Sequence, residues 1–147
     1  MTVIAWDGKT LAADKRAVTY GRVSTVTKIF RESRQGIEFL IGLSGCLPRA
    51  IAMRHWWRRG EHEPEFPRQD GTDDWACLTV ITSAGAVLRY ESVAFPLEIN
   101  PGMAAAGGGR DYALMAMHLG MNAHEAVRLT CQLSHDCGNG IDTLTFS

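Results

Sequence analysis

Apolar and polar positions along the chain predict strands, one helix, more strands, two helices and a final strand. The runs 2–6 and 9–13 flank Asp7-Gly8, a pair typical of tight β-hairpin turns. The stretch 37–43 is almost continuously apolar, which is typical of a strand covered on both faces. Further extended segments are expected at 15–20, 26–31, 75–82, 86–90, 92–99 and 141–146.

The predicted helices are marked by signals at their ends. Pro48 follows a small-residue loop and indicates a helix start, and Gly60 indicates where that helix ends. A second helix is expected over 110–119. Asn122, followed three residues later by Glu125, forms a capping box that begins the third helix. The face of the third helix expected to point inward consists of Ala126, Leu129, Thr130 and Leu133.

The order of these elements restricts the fold class. The segments 21–24 and 61–74 are predicted to be loops, and the second is longer than usual for a compact domain. The helices are too few and too clustered for an alternating α/β fold. Two sheets packed together with helices outside would cover the strands that are apolar on both faces. The sequence therefore predicts an α+β chain with a single domain over 1–147.

Composition excludes several function classes. The formal net charge is −1, so no global field attracts nucleic acid or an anionic membrane surface. No apolar run approaches the roughly 18–20 residues that a membrane span needs. The first residues lack the features of a signal peptide, and the cysteines form no CxxC pair. A cytoplasmic protein with reduced thiols is expected, with neither nucleic acid nor membrane as a partner.

The second residue has chemical potential of its own. If Met1 is removed, Thr2 becomes the first residue and carries both a hydroxyl and a free α-amine. Such a residue can supply a nucleophile together with its own general base, because an α-amine has a reference pKa of about 7.7–8.0. By itself, however, a threonine at position 2 is usually just part of a terminus.

A resemblance gives this threonine partners. Four features, in this order along the chain, resemble the proteasome β-subunit superfamily. They are Thr2 at a strand start, the run 12–17, Thr27-Lys28, and the run 42–45 before a helix. The run 107–114 resembles the glycine-rich loop and helix of the bacterial HslV peptidase. The segment 135–142 resembles the proteasomal segment after the last core helix. The chain thus looks like a short, divergent, HslV-type N-terminal-nucleophile (Ntn) hydrolase.

The resemblance implies a fold and a set of roles. The fold would be a four-layer α-β-β-α sandwich, with two antiparallel sheets flanked by helices. The activity would be that of a threonine-type endopeptidase. The implied catalytic residues are Thr2 as nucleophile with Lys28, Asp14 and Asp136, while Arg16 supports the site and the backbone N–H of Gly45 stabilises the oxyanion. The implied substrate-binding positions are Gly42, Ser44 and Gly108.

The resemblance also implies partners. Self-association into rings, a peptide or unfolded-protein substrate and an AAA+ unfoldase are expected. Peptide hydrolysis needs no cofactor, and backbone carbonyls near residues 133–141 are candidates for holding Na⁺ or Mg²⁺. Two alternatives stay open: a catalytically inactive proteasome-like ring or scaffold protein, and a small-molecule amidase of the Ntn class.

Three further motifs allow weaker interpretations. Cys131, His135 and Cys137 suggest zinc, but their spacing matches no standard pattern. The glycine run 107–109 lacks both the GxGxxG pattern and the lysine of a phosphate-binding loop. The sequence Trp-Trp-Arg-Arg at 56–59 could stack on nucleic acid, although the near-zero net charge favours a helix at a subunit contact.

Overall fold

The computed structural model of the protein describes residues 2–100 and 102–147. Three α-helices lie within these ranges: α1 (Leu47–Arg58), α2 (Arg110–His118) and α3 (Ala123–Leu133), and a 3₁₀ turn covers Glu63–Glu65. The strands are β1 (Ile4–Trp6), β2 (Thr10–Asp14), β3 (Arg16–Thr19), β4 (Arg22–Thr25), β5 (Ile29–Arg34), β6 (Ile37–Gly45), β7 (Ala76–Thr82), β8 (Val87–Tyr90), β9 (Leu97–Ile99), β10 (Ala104–Ala106) and β11 (Ile141–Thr145).

The strands form two large antiparallel sheets and a separate hairpin. One sheet has four strands in the order β10-β1-β2-β11, and the other has five in the order β5-β6-β7-β8-β9. β3 and β4 pair only with each other. The turn between β1 and β2 follows the sequence signal, since the Asp7 carboxylate accepts hydrogen bonds from the backbone N–H groups of Lys9 and Thr10.

Successive side chains of the central strands point to opposite faces of their sheet, and this alternation produces the layers of the fold. Ile4 and Trp6 of β1 pack between the two sheets, against Leu40 and Ile81 of the five-stranded sheet. The intervening Ala5 points the other way and packs under α2 and α3. The opposite face of the five-stranded sheet is covered by α1. Helix, sheet, sheet and helices therefore form the four-layer α-β-β-α sandwich, and this prediction is confirmed.

The structure of α1 corrects the suggestion that its two tryptophans stack on nucleic acid or contact another subunit. Trp56 and Trp57 are 1% and 2% exposed and pack against the five-stranded sheet. The indole N–H of Trp56 donates to the carbonyl of His62, and the Arg34 guanidinium lies 4.2 Å from the Trp57 ring centre. Neither ring is available to stack on a nucleic-acid base or on another subunit.

Several element boundaries differ from the prediction. Within the predicted loop 21–24, residues 22–24 belong to strand β4. Only Gly21 lies in a turn, which it forms with Tyr20, and their φ angles of 74° and 51° are typical of the tight turns that join hairpin strands. The strand predicted at 26–31 begins at Ile29, and only Leu97–Ile99 of the segment 92–99 is a strand. The predicted inner residue Leu133 is 58% exposed, since α3 is buried through Ala123, Ala126, Val127 and Thr130.

Within the described ranges, no helix is both long and apolar enough to cross a membrane.

Candidate active site

Thr2 is held just before β1 by the glycine-rich loop. It is 4% exposed, and its carbonyl accepts a hydrogen bond from the N–H of Gly109 at 3.1 Å. Gly107 has a φ of 88°, and a Cβ atom there would lie 2.7 Å from the carbonyl carbon of Thr2. Glycine is therefore required at 107 by both its backbone conformation and its closeness to Thr2.

Asp14, at the end of β2, connects every part of the site. Its Oδ1 accepts hydrogen bonds from the backbone N–H of Val3 at 3.1 Å and from the ammonium of Lys28 at 2.8 Å. Its Oδ2 accepts from the backbone N–H groups of Arg16 at 3.2 Å and Gly138 at 3.0 Å. The side chain is fully buried, so these four donors replace the water that a carboxylate would otherwise bind.

Lys28 reaches the site from the other sheet. It directly precedes β5, and its carbonyl accepts a hydrogen bond from the N–H of Leu43 at 2.8 Å. Its side chain is fully buried beside Asp14. Burying an ammonium ion carries a large desolvation cost, which an opposite charge in hydrogen-bonding contact offsets. A buried ion pair next to a possible nucleophile is the arrangement expected of a functional site.

Arg16 joins this pair to the loop of residues 134–140, called here the exit loop. Its Nε donates to the side chain of Asn139 at 3.0 Å, and its Nη1 donates to the carbonyl of His135. Gly138 lies so close that a Cβ atom there would be 2.7 Å from the guanidinium. Arg16 thus connects β3 to the exit loop, and its supporting role in catalysis stays a prediction.

Asp136 lies in the same loop but not at its inner face. Its side chain is exposed, and its carboxylate makes no hydrogen bond or ion pair with residues 2–100 or 102–147. The exit loop reaches Asp14 and Arg16 through the backbone of Gly138 and His135. A catalytic role for Asp136 stays a prediction.

A cleft of about 300 Å³ opens beside Thr2. Gly45 lines this cleft together with Thr2, which is the juxtaposition that an oxyanion donor needs. Gly45 has a φ of 82°, and a Cβ atom there would lie 2.8 Å from the Cα of Ala76, so glycine is required. The remaining walls come from β3 and from the start of α1, namely Arg16, Ala17, Val18, Thr19, Cys46, Leu47 and Pro48, with Asp73 opposite.

The three predicted substrate-binding positions lie elsewhere than in this cleft. Gly42 is packed between the sheets, where a Cβ atom would lie 3.0 Å from the side chain of Ile4. Ser44 is fully buried, and Gly108 is exposed. The residues that contact Thr2 are the neighbours Gly107 and Gly109. Sequence reasoning missed both, although the three-glycine run was the signal that could have found them.

The sulfur atoms near the site are protonated. All four cysteines are free thiols. Burial, followed by the charge of Asp14, raises the pKa of the Cys137 thiol to about 11. The same two causes raise the pKa of Cys131. Neither thiol is a thiolate near neutral pH, and thiolate is the form that attacks electrophiles or binds metal.

A metal centre built from side chains is not found among the described residues, since no three His, Cys, Asp or Glu side chains there lie close enough to hold an ion. In the exit loop, the carbonyls of Ser134, His135 and Gly138 already accept hydrogen bonds from the protein. A backbone-bound Na⁺ or Mg²⁺ near residues 133–141 stays a prediction.

The comparisons with known proteins rest on structure, because the sequence matches no family model and no curated protein. Anbu (ancestral beta-subunit) from Yersinia bercovieri superposes with a TM-score of 0.70 at 12% identity, over 99% of this chain and 81% of that chain. The fold is that of the N-terminal-nucleophile hydrolases. A mutant of Anbu from Hyphomicrobium sp. strain MC1 superposes with a TM-score of 0.72 at 12% identity, over 100% of this chain and 82% of that chain.

A third structure, the helical assembly of the Anbu complex from Pseudomonas aeruginosa, gives a TM-score of 0.67 at 12% identity, over 99% of this chain and 80% of that chain. These similarities correct the HslV-type assignment made from the sequence. The structural likeness is to Anbu, and at 12% identity it shows the fold alone. The run 107–114 forms a glycine turn and the start of α2, and such a local feature does not identify a family.

Proposed function

We propose that this protein is a proteasome-like threonine peptidase that hydrolyses peptide bonds with Thr2 after Met1 has been removed. The observation that supports it best is the buried ion pair of Lys28 and Asp14. Asp14 also accepts the N–H of Val3, so the residue that carries this pair is hydrogen-bonded to the immediate neighbour of Thr2. The pair also joins the two sheets, but its place beside the neighbour of Thr2 is the arrangement expected where Thr2 carries out chemistry.

The proposed reaction uses Thr2 twice. Its free α-amine accepts the hydroxyl proton, and Oγ attacks the substrate carbonyl to give a tetrahedral intermediate. The N–H of Gly45 donates to the oxyanion, a contribution of about 3–4 kcal/mol to lowering the barrier. The α-ammonium then gives this hydroxyl proton to the leaving nitrogen, so that collapse releases the amine product and leaves an ester on Thr2, which water hydrolyses with the α-amine again acting as base. Lys28 supplies positive charge to the site and Asp14 holds it in place, and a role for Asp136 in the reaction stays part of the proposal.

The proposed context is a cytoplasmic assembly, with the described chain acting as one domain. The Anbu complex from Pseudomonas aeruginosa is a helical assembly. In this chain, α2 and the residue after it expose apolar side chains at a helical spacing: Tyr112 is 48% exposed, Met115 67% and Leu119 80%. Such a stripe is unusual on an isolated subunit and favours self-association, into rings in this proposal. A peptide or unfolded protein delivered by an AAA+ unfoldase is the proposed substrate.

The test begins with the covalent state of the N-terminus. Met1 lies outside the described residues, so intact-mass measurement of natively expressed protein must establish its removal. A β-lactone or boronate should then label Thr2, as located by mass spectrometry. Thr2→Ser should keep labelling and peptidase activity, because a hydroxyl and an α-amine remain, and Thr2→Ala should lose both. Persistence of Met1, or full peptidase activity in Thr2→Ala, would refute the mechanism.

An amidase acting on a small substrate is the second candidate. The cleft beside Thr2 measures about 300 Å³, which is at the lower end of the range for small-molecule sites. Turnover of small amides without turnover of fluorogenic peptides would support it. A protein that retains Met1 and forms large particles in light scattering would instead be a catalytically inactive assembly protein.

A further inference from the structure

A second cleft lies on the far side of the glycine-rich loop. It encloses about 370 Å³ and shares no lining residue with the cleft beside Thr2. Gly107 forms part of its wall, and a Cβ atom on Gly107 would lie 3.1 Å from the Cβ of Thr2. Trp75 forms another part, and its carbonyl accepts a hydrogen bond from the N–H of Cys46 in the first cleft. The two clefts therefore flank Thr2.

The charge in the second cleft is positive. Its charged lining side chains are Arg89, Arg110 and Glu91, two cations against one anion. Arg110 is also the first residue of α2, so the partial positive charge of a helix N-terminus adds to that of the guanidinium groups. Cys77 contributes no negative charge at neutral pH, because burial raises the pKa of its thiol. The cleft is suited to an anion.

Both guanidinium groups are held in place by backbone carbonyls. Nη2 of Arg89 donates to Ala105 at 2.7 Å, and Nη1 of Arg110 donates to Gly107 at 3.1 Å. The Nε–H of Arg89 is buried and has no hydrogen-bond partner among the described residues. A buried donor without an acceptor is costly, and a negative charge in the cleft that this guanidinium lines would offset part of that cost. The planar guanidinium matches a carboxylate in particular.

We propose that this second cleft binds a carboxylate group next to Thr2, either an acidic side chain or a free C-terminal carboxylate of a peptide. The binding of the carboxylate follows from the arginines alone. The consequence for catalysis, a preference for substrates or products with an acidic group near the cleaved bond, rests on the proposed peptidase function. The indole of Trp75, 39% exposed, provides an apolar wall for the rest of the ligand.

Three small probes of nearly equal size test the proposal by NMR titration of the full chain. N-acetyl-glutamate α-amide carries a side-chain carboxylate, N-acetyl-glutamine carries a free C-terminal carboxylate, and N-acetyl-glutamine amide is neutral. At least one acidic probe should bind about tenfold more tightly than the neutral one, since a hydrogen bond to a charged group contributes about that factor. Which acidic probe binds better identifies the source of the carboxylate.

Variants locate the binding. Arg110→Gln, at an exposed position, should weaken the acidic probe about tenfold, and Arg89→Lys should weaken it as well. Arg128→Gln removes the same charge from the exposed face of α3 and should leave binding unchanged. Equal affinity for the neutral probe, or an equal loss in Arg128→Gln, would overturn the proposal. Thr2→Ala should still bind the probe, so failure of the peptidase mechanism is distinguishable from failure of this site.

Discussion

The ammonium of Lys28 lies 2.8 Å from Oδ1 of Asp14, and both side chains are fully buried. The two residues belong to different sheets, because Asp14 ends β2 and Lys28 directly precedes β5. The ion pair therefore fastens the two sheets together at the point where Thr2 enters the fold. Its effects on stability and on chemistry can be measured separately.

Replacing Asp14 with Asn should destabilise the protein severely. The Lys28 ammonium would lose its carboxylate partner in a buried environment, and breaking a buried ion pair in this way costs roughly 3–5 kcal/mol. Denaturant unfolding monitored by fluorescence measures this change. Asp142→Asn is the matched control, since it breaks the partly exposed Lys15–Asp142 pair, which has the same 2.8 Å distance. That control should change the free energy of unfolding by about 1 kcal/mol or less, and equal losses in the two variants would contradict the argument.

Replacing Gly107 with Ala should displace Thr2. The new Cβ atom would lie 2.7 Å from the Thr2 carbonyl carbon, in addition to the strain of a φ of 88°. Gly85 isolates the strain, because its φ is 89° and a Cβ atom there would meet nothing within 4 Å. Gly85→Ala should cost about 1–2 kcal/mol of stability and leave Thr2 labelling intact. Gly107→Ala should cost more in thermal unfolding and abolish labelling, and similar behaviour of the two variants would count against a positioning role for Gly107.

Replacing Arg16 with Lys should loosen the exit loop. A lysine cannot donate to both His135 and Asn139 with the fixed geometry of the guanidinium group. The free energy of local opening for residues 134–140 should fall by about 1–2 kcal/mol, read as faster amide hydrogen exchange. Arg22→Lys, on the exposed strand β4, should leave that exchange unchanged. Unchanged exchange in Arg16→Lys would contradict a role for Arg16 in holding the loop.

The thiol of Cys137 should resist alkylation in the native protein at pH 8 and react once the protein is unfolded. Its pKa is raised from 9.0 to about 11, and it is 2% exposed. A raised pKa means that the folded state binds its proton more tightly. The resulting stabilisation is fully present below about pH 9 and is lost as the pH rises towards about 11. Mass spectrometry after iodoacetamide treatment checks the labelling, and rapid native labelling of Cys137 would contradict the prediction.

The local elements were largely predictable from the sequence. The turn at Asp7-Gly8, the start of α1 near Pro48 and the cap of α3 at Asn122 all occur as predicted. Each depends on backbone preferences or hydrogen bonds that span only two or three residues, so the information is contained in a short window. The hairpin β3–β4 escaped prediction because both strands are largely exposed and carry no apolar alternation.

For the candidate site too, one part could be predicted from the sequence and another could not. The chemical types at Thr2, Asp14, Arg16 and Lys28 could be read from the sequence by resemblance, and the structure brings these residues together. The second cleft could not be predicted, because Arg89 and Arg110 meet only where β8 and the start of α2 approach each other. Nor could the sequence distinguish Asp136 from its neighbours in the exit loop.

The sequence by itself determined which residues carry reactive groups, where the turns lie and which strands are buried on both faces, because these properties depend on side-chain chemistry and local spacing. Only the tertiary structure decided which groups share one low-dielectric site, and that Gly107 and Gly109 rather than Gly108 touch Thr2. The physical reason is that contacts between distant segments depend on how the two sheets pack, and that packing is set by the whole core at once.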